Sequence, residues 1–181
     1  MSRNKIILSA VLLVAIAAIG RLVPHPWNAT PVMAATLVAG VYLNRRAALV
    51  VPLAATIVSD LFLGFYEWKV MAAVYAAYAL IALGSILLKR WKSAESVIAA
   101  AVISSTVFFL TTNAAVWFFT PWYGHSSRGL LSAYLMGLPF YRNAVAGDVC
   151  FTALFFGAIE LSRAPNRWRK PAAHPSAAEL V

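Results

Sequence analysis

The sequence contains few charged residues and a single cysteine. Only 12% of its 181 residues are charged, 62% are hydrophobic, and six are acidic. The lone thiol, Cys150, excludes a disulfide within the chain and any metal site built from several thiolates. A composition this apolar excludes an ordinary soluble domain and predicts an integral membrane protein.

Familiar catalytic and nucleotide-binding motifs are also missing. The sequence has no Gly-x-Ser-x-Gly, no His-Glu-x-x-His and no phosphate-binding glycine-rich loop. We therefore expect a protein that is not an enzyme, that has no cofactor of its own, and that cannot power transport through ATP by itself.

Six continuous apolar runs divide the chain. They cover approximately residues 6–23, 32–43, 47–65, 70–88, 97–119 and 140–161. Because these runs do not alternate, they predict six transmembrane helices and not a β-barrel. The second run is shorter than the ~30 Å apolar thickness of a bilayer. Either the chain before it dips into the membrane, or this helix is sunken among its neighbours.

The positive charges predict the orientation of these helices. With the amino terminus in the cytoplasm, eleven of the 15 Lys and Arg residues lie on the cytoplasmic side, and Arg21, Lys69, Arg128 and Arg142 lie outside. Because Lys and Arg concentrate in cytoplasmic loops, both termini are predicted to be cytoplasmic, in a multi-pass protein of a bacterial inner membrane. The charge is thus explained by topology and does not indicate a nucleic-acid partner.

The ends of the domain and the longest connection carry further expectations. Residues 1–161 are expected to form the transmembrane domain, and residues 162–181 a basic, disordered cytoplasmic tail. The first run also resembles a signal peptide, but it continues to Val23, so we expect it to remain as a helix. Residues 130–138 are apolar but too short to span, which predicts a separate interfacial helix in the last outer loop.

Polar side chains within the apolar runs concentrate near the outer side. An aspartate at the centre of a membrane costs about 2.5–3.5 kcal/mol, so Asp60 and Asp148 are expected to have a partner or a function. We expect Arg142 to pair with Asp60. The inner halves carry mainly hydroxyl groups, among them Ser105, which predicts a pocket that opens outward and is closed below. The candidate substrate-binding residues are His25, Asn28, Asp60, Tyr75, Tyr78, Asn113, Trp117, Arg142 and Asp148.

Several short motifs carry a resemblance to known proteins. They are residues 21–31 (RLVPHPWNATP), 59–65 (SDLFLGF), 112–113 (TN) with Trp117, 139–143 (PFYRN) and 147–148 (GD). Over residues 5–160 the chain resembles a family of uncharacterised bacterial six-helix membrane proteins. That family is similar to the substrate-binding S components of energy-coupling-factor (ECF) vitamin transporters, with the solitary cobalamin-transporting S components nearest. The resemblance implies a six-helix bundle that holds its substrate near the outer face, cobalamin as a candidate cargo, and an energising membrane module as a candidate partner.

Two features depart from that pattern. The cobalamin proteins place a cobalt-binding cysteine near the start of the fourth helix, where this chain reads Met-Ala-Ala-Val-Tyr at residues 71–75. Cys150 lies elsewhere, in the sixth run, and is expected to be a packing residue. Many S components also dock to their partner through Ala-x-x-x-Ala in the first helix, and none of Ala10, Ala15, Ala17 and Ala18 is followed by alanine four residues later.

The sequence therefore favours a membrane protein that captures a small vitamin-like or cofactor-precursor solute from the periplasmic side. Two alternatives remain open. One is a non-catalytic membrane subunit or assembly partner. The other is a membrane protein that binds haem or a metal through His25 and His125.

Overall fold

The computed structural model describes residues 2–163, which form six helices and contain no strand. The helices are α1 (Arg3–Leu22), α2 (Val32–Tyr42), α3 (Arg45–Leu63), α4 (Trp68–Leu88), α5 (Ala94–Phe119) and α6 (Ser127–Arg163). All except α2 are long and apolar enough to cross a membrane. This confirms an all-helical, multi-pass membrane protein. Of the expected tail, Ser162 and Arg163 are the last residues of α6, and 164–181 lie outside the described residues.

The short helix α2 lies at the centre of the bundle. Ten of its 11 residues are buried, and it packs against each of the other five helices. Its rise is about 16 Å, roughly half the apolar thickness of a bilayer. A buried helix of this length needs no contact with lipid, so the structure agrees with the sunken alternative for the second run.

The other five helices surround α2 in a broken ring. Helix α1 packs against α3, α3 against α4, α4 against α5, and α5 against α6. Among the described residues, the backbones of α1 and α6 do not pack against each other. We call the resulting gap the α1–α6 seam; apolar side chains of α1, α2 and α6 line it, including Leu12, Val38 and Ile159.

The connections gather at two ends of the bundle. The α1–α2, α3–α4 and α5–α6 connections lie at one end, which we call the site end, and the α2–α3 and α4–α5 connections lie at the other, the basic end. At the basic end the Tyr42 hydroxyl donates to the Glu160 carboxylate, which also pairs with Lys92. The Lys92 and Arg163 cations lie 4.5 and 4.4 Å from the centre of the Tyr42 ring. These contacts fasten α2 and α6 to the α4–α5 connection.

The expectation of a separate interfacial helix at 130–138 is wrong, because these residues are the first part of the continuous 37-residue α6. The helix continues through Pro139, although proline removes one backbone hydrogen bond. Packing against α5 accounts for this continuity. The Tyr134 hydroxyl donates to the Leu110 carbonyl at 3.1 Å, and Gly137 is so close to α5 that a Cβ would lie 2.8 Å from the Phe109 ring.

The contact between α2 and α4 yields the first prediction. A Cβ on Gly40 would overlap the Ser85 side chain and lie 3.0 Å from the Ser85 backbone carbonyl carbon. Since overpacking a tight interface costs about 1–3 kcal/mol, Gly40→Ala should lower the midpoint of thermal unfolding in detergent. The control is Gly84→Ala on α4, where a Cβ meets nothing within 4 Å. That variant should be neutral or stabilising by up to about 1 kcal/mol. Equal effects of the two substitutions would contradict the central position of α2.

Candidate functional site

A cavity of about 330 Å³ lies at the site end, directly above the first residues of α2. Because α2 begins only at Val32, no helix fills the space between α4, α5 and α6 at this level. Its polar lining residues are Arg21, Asn28, Thr30, Tyr66, Tyr78, Ser105, Thr112 and Asp148, and its apolar ones include Met33, Phe108, Val116 and Ala144. We call this cavity the main chamber.

A smaller cavity of about 160 Å³ adjoins the main chamber between α5 and α6. The two share the lining residues Asn28, Ser105, Phe108, Thr112, Val116 and Ala144, and the smaller one adds Phe109, Asn113 and Tyr141. We call it the side chamber. The Asn113 amide nitrogen donates to the Phe109 carbonyl at 2.9 Å. The Tyr141 hydroxyl shares a hydrogen bond of 2.8 Å with Thr106. The side chamber is therefore walled by aromatic rings and anchored polar groups.

Arg21 and the buried Asp60 form an ion pair beside the main chamber. Arg21 Nη2 lies 3.0 Å from Asp60 Oδ1, and Arg21 Nη1 donates to the Ser59 hydroxyl at 2.8 Å. The Tyr75 hydroxyl donates to Asp60 Oδ2 at 2.9 Å. Both carboxylate oxygens are thus occupied, and Asp60 is 1% exposed. These hydrogen bonds and the ion pair connect α1, α3 and α4, so Asp60 stabilises the packing of the three helices. The charge of Asp60 is balanced by that of Arg21.

The expected pair of Arg142 with Asp60 is wrong. Arg142 is exposed on α6, and α6 does not pack against α3 within the described part of the chain. Arg21 is the partner because α1 packs along α3 and carries its arginine to the level of Asp60.

Asp148 is the second buried carboxylate, and no cation pairs with it. It is 4% exposed and accepts a hydrogen bond from the Ser105 hydroxyl, whose oxygen lies 2.6 Å from Asp148 Oδ2. No described residue donates to Oδ1 or forms a salt bridge with this carboxylate. One turn further along α6, the fully buried Thr152 hydroxyl also has no hydrogen-bond partner among the described residues. Asp148 therefore places in the wall of the main chamber a carboxylate that has no cationic partner among the described residues.

The α1–α2 connection covers this part of the bundle. The Ala29 amide donates to the Pro26 carbonyl at 2.9 Å and closes a turn in which Asn28 has φ 64°, a conformation that asparagine tolerates. The turn sits against α6 at Gly147, where a Cβ would lie 2.8 Å from the Ala29 Cα. Beside it the Trp27 ring stacks on Phe140, with centroids 5.4 Å apart. Gly147 thus lets the connection approach α6 next to Asp148.

Aromatic side chains form much of the remaining wall. The buried Tyr78 ring lies against Phe108, with centroids 4.8 Å apart. Tyr66, in the α3–α4 connection, also lines the main chamber. Burial, followed by the nearby Asp60 charge, raises the pKa of Tyr66 to about 12. Its hydroxyl therefore stays protonated at neutral pH and is available as a hydrogen-bond donor.

The structure brings four of the nine sequence-predicted residues to the chambers. Asn28, Tyr78 and Asp148 line the main chamber, and Asn113 lines the side chamber. Asp60 and Tyr75 lie in the adjacent ion-pair group. The remaining three, His25, Trp117 and Arg142, do not line either chamber.

These three residues have other surroundings. The His25 ring nitrogens lie 2.8 Å from the Pro26 carbonyl oxygen and 3.3 Å from that of Arg21. Trp117 Nε1 donates to the Gly124 carbonyl at 3.1 Å, and the Trp117 ring contacts His125 edge-on. The described residues contain no group of three or more His, Cys, Asp and Glu that could hold a metal ion.

Sequence reasoning missed Arg21, Ser105, Tyr66 and Phe108 as neighbours of the site. The charge pattern of the sequence identifies Arg21 only as a loop charge, and the position of Ser105 along its apolar run predicts the inner half of the membrane. The available signal was the buried aspartate itself, because an acid in an apolar run predicts a hydroxyl or a cation nearby. It did not identify which helix supplies that group.

The ion pair yields the second prediction. Arg21→Met leaves Asp60 buried without its cation, and breaking such a pair costs about 3–5 kcal/mol. Adding Asp60→Asn should recover much of that loss, so a double-mutant cycle followed by thermal unfolding in detergent should show strong coupling.

Arg142→Met is the matched control, since it removes an exposed arginine from the same end of the bundle. It should change stability by no more than about 0.5 kcal/mol and show no coupling to Asp60→Asn. Coupling of Asp60 to Arg142 in place of Arg21 would refute the pairing.

A family described as "Family of unknown function (DUF6580)" matches residues 1–172. No curated protein and no solved structure matches the chain.

Proposed function

This chain belongs to the DUF6580 family, whose function is unknown, and we propose that it is a membrane protein that binds and transports a small organic solute. The observation that carries the proposal is the main chamber: a cavity of about 330 Å³ inside an apolar bundle, with the unpaired carboxylate of Asp148 in its wall. Ionisable groups inside membrane proteins are rare and usually mark a path or site for a solute or ion.

The size of the chambers supports a small solute. Pockets for small organic ligands measure about 300–1,000 Å³ and combine apolar walls with a few placed polar groups. The chambers, of about 330 and 160 Å³, have this character and would suit a vitamin-like or cofactor-precursor molecule. Cobalamin is much larger than such a molecule and would require the α1–α2 connection to move aside. The volume thus favours a smaller cargo.

The charge distribution supports capture from outside the cell. Of the 12 Lys and Arg residues between residues 2 and 163, eight lie at the basic end and four at the site end. Those at the basic end are Arg3, Lys5, Arg45, Arg46, Lys89, Arg90, Lys92 and Arg163, and those at the site end are Arg21, Lys69, Arg128 and Arg142. By the rule that Lys and Arg concentrate in cytoplasmic loops, the basic end faces the cytoplasm of a bacterial inner membrane. The main chamber then opens toward the periplasm beneath the α1–α2 connection, which would act as its cover.

The α1–α6 seam supports a second, compatible role as a subunit of a larger membrane assembly. Ser9, Leu12, Leu13 and Ile16 of α1 face Phe155, Ala158 and Ile159 of α6 across it. A partner helix, such as one of an energising module, would find here an apolar site at the basic end. Failure of solute binding combined with stable copurification of a second membrane subunit would favour assembly as the main role.

The third prediction tests solute binding by filling the chamber. Ala144 lines both chambers, whereas Ala146, two residues later on α6, is exposed. Ala144→Phe should fill the shared space and abolish binding while the protein remains folded, and Ala146→Phe should bind as the unmodified chain does. The measurement is mass spectrometry of the small molecules that copurify with each protein in mild detergent.

The expected result is a stoichiometric small molecule that is present with the unmodified protein and Ala146→Phe but missing from Ala144→Phe. A molecule that copurifies equally with all three proteins would bind elsewhere. That result would contradict the assignment of the chamber as the binding site.

A further inference from the structure

The charged groups around the main chamber do not balance. Among the residues that the structure describes, Arg21 and Asp148 are the only Lys, Arg, Asp or Glu residues that line it. Arg21 is already engaged, since its guanidinium contacts Asp60 at 3.0 Å and Ser59 at 2.8 Å. Because Asp60 offsets the charge of Arg21, the carboxylate of Asp148 leaves the site with a formal charge of −1 when ionised.

The polar groups near Asp148 do not replace a cation. Ser105 supplies one hydrogen bond to Oδ2, and the same hydroxyl also lies 2.9 Å from the Ala101 carbonyl. A hydroxyl has a single hydrogen, so Ser105 satisfies one of several acceptor positions of the carboxylate at most. A buried carboxylate with one neutral donor binds a cation or a proton more favourably than it stays bare.

The walls of the chamber suit a cation that also has an apolar part. Tyr66, Tyr78 and Phe108 line it, and aromatic faces attract cations that lie within about 6 Å of the ring centre. The Thr112 hydroxyl donates to the Phe108 carbonyl at 2.8 Å, so its oxygen retains free acceptor positions. An anionic solute in this chamber would be repelled by the Asp148 carboxylate, so the chamber disfavours anions.

From this imbalance we propose that the solute is an organic monocation, such as a protonated amine, whose charged nitrogen pairs with Asp148 between the aromatic walls. The inference rests on the proposed function and adds to it the charge of the solute and the residue that selects for it. Asp148 and Asp60 thus have different roles: Asp60 holds Arg21 for the bundle, and Asp148 is the counter-ion of the cargo.

The test uses three probes of similar size and different charge: 2-phenylethylammonium, 2-phenylethanol and 3-phenylpropionate. Binding of each to the purified full chain in lipid nanodiscs is measured by titration calorimetry. The ammonium probe should bind most tightly. Asp148→Asn keeps the shape of the side chain and removes its charge. It should therefore weaken the binding of the ammonium probe about tenfold to a hundredfold and reduce the difference in affinity between that probe and the neutral alcohol.

Glu160→Gln is the matched control, because it removes an acidic charge from the basic end of the same helix. It should leave the preference for the ammonium probe unchanged. If Asp148→Asn does not fold, the preference of the unmodified chain for the cation over the alcohol remains the test.

The outcomes separate this inference from the proposed function. Equal or tighter binding of the alcohol or the carboxylate, abolished by Ala144→Phe, would overturn the cationic solute and leave the chamber as a binding site. Failure of the ammonium probe to bind at millimolar concentration would also overturn the inference. The proposed function would then be decided by whether a small molecule copurifies with the unmodified protein and is missing from Ala144→Phe. Probe binding that Ala144→Phe does not reduce would overturn both.

Discussion

A central helix of 11 residues fills only about half the thickness of a bilayer, and the chain must fill the other half by different means. At the basic end α2 itself forms the core, with ten buried residues and close contacts such as Gly40 against Ser85. At the site end the α1–α2 connection lies over the space that α2 leaves. Asn28 and Thr30 of this irregular connection border a cavity, which is one of the surroundings in which a membrane protein tolerates non-helical backbone. The main chamber is that cavity.

The two buried aspartates show how similar side chains acquire different roles from their neighbours. Asp60 faces α1 and α4, where Arg21 and Tyr75 occupy both of its oxygens. Asp148 faces α5, which offers only the Ser105 hydroxyl. An ion pair with both carboxylate oxygens satisfied stabilises helix packing and leaves little capacity to bind anything else. A carboxylate with one neutral donor retains that capacity.

Much of the fold could be predicted from the sequence, because long apolar runs are local signals. The short length of α2 and the concentration of polar residues near one end of the helices could also be predicted. The partner of Asp60 could not be predicted, since Arg21 and Arg142 are both expected on the outer side and only the packing of α1 against α3 distinguishes them. Likewise, the contact of Ser105 with Asp148 could not be predicted, because it depends on where α5 meets α6. The predicted interfacial helix at 130–138 is wrong because a run too short to span by itself is the first part of a longer helix, which packing against α5 carries through Pro139.

The central claim is that the space above α2 is a water-accessible chamber with net negative charge that opens outside the cell. Thiol labelling of intact cells tests it directly. Ala144→Cys in a Cys150→Ala background would be treated with membrane-impermeant methanethiosulfonates that carry either a trimethylammonium or a sulfonate group. The labelling rate of Ala144→Cys with each reagent is divided by the rate of Ser127→Cys with the same reagent. Ser127 is an exposed residue at the start of α6, so this ratio removes differences in the intrinsic reactivity of the two reagents. The account predicts that Ala144→Cys reacts, and that after this correction the cationic reagent is faster than the anionic one. No reaction at Ala144→Cys while Ser127→Cys is labelled, or a faster anionic reagent, would contradict it.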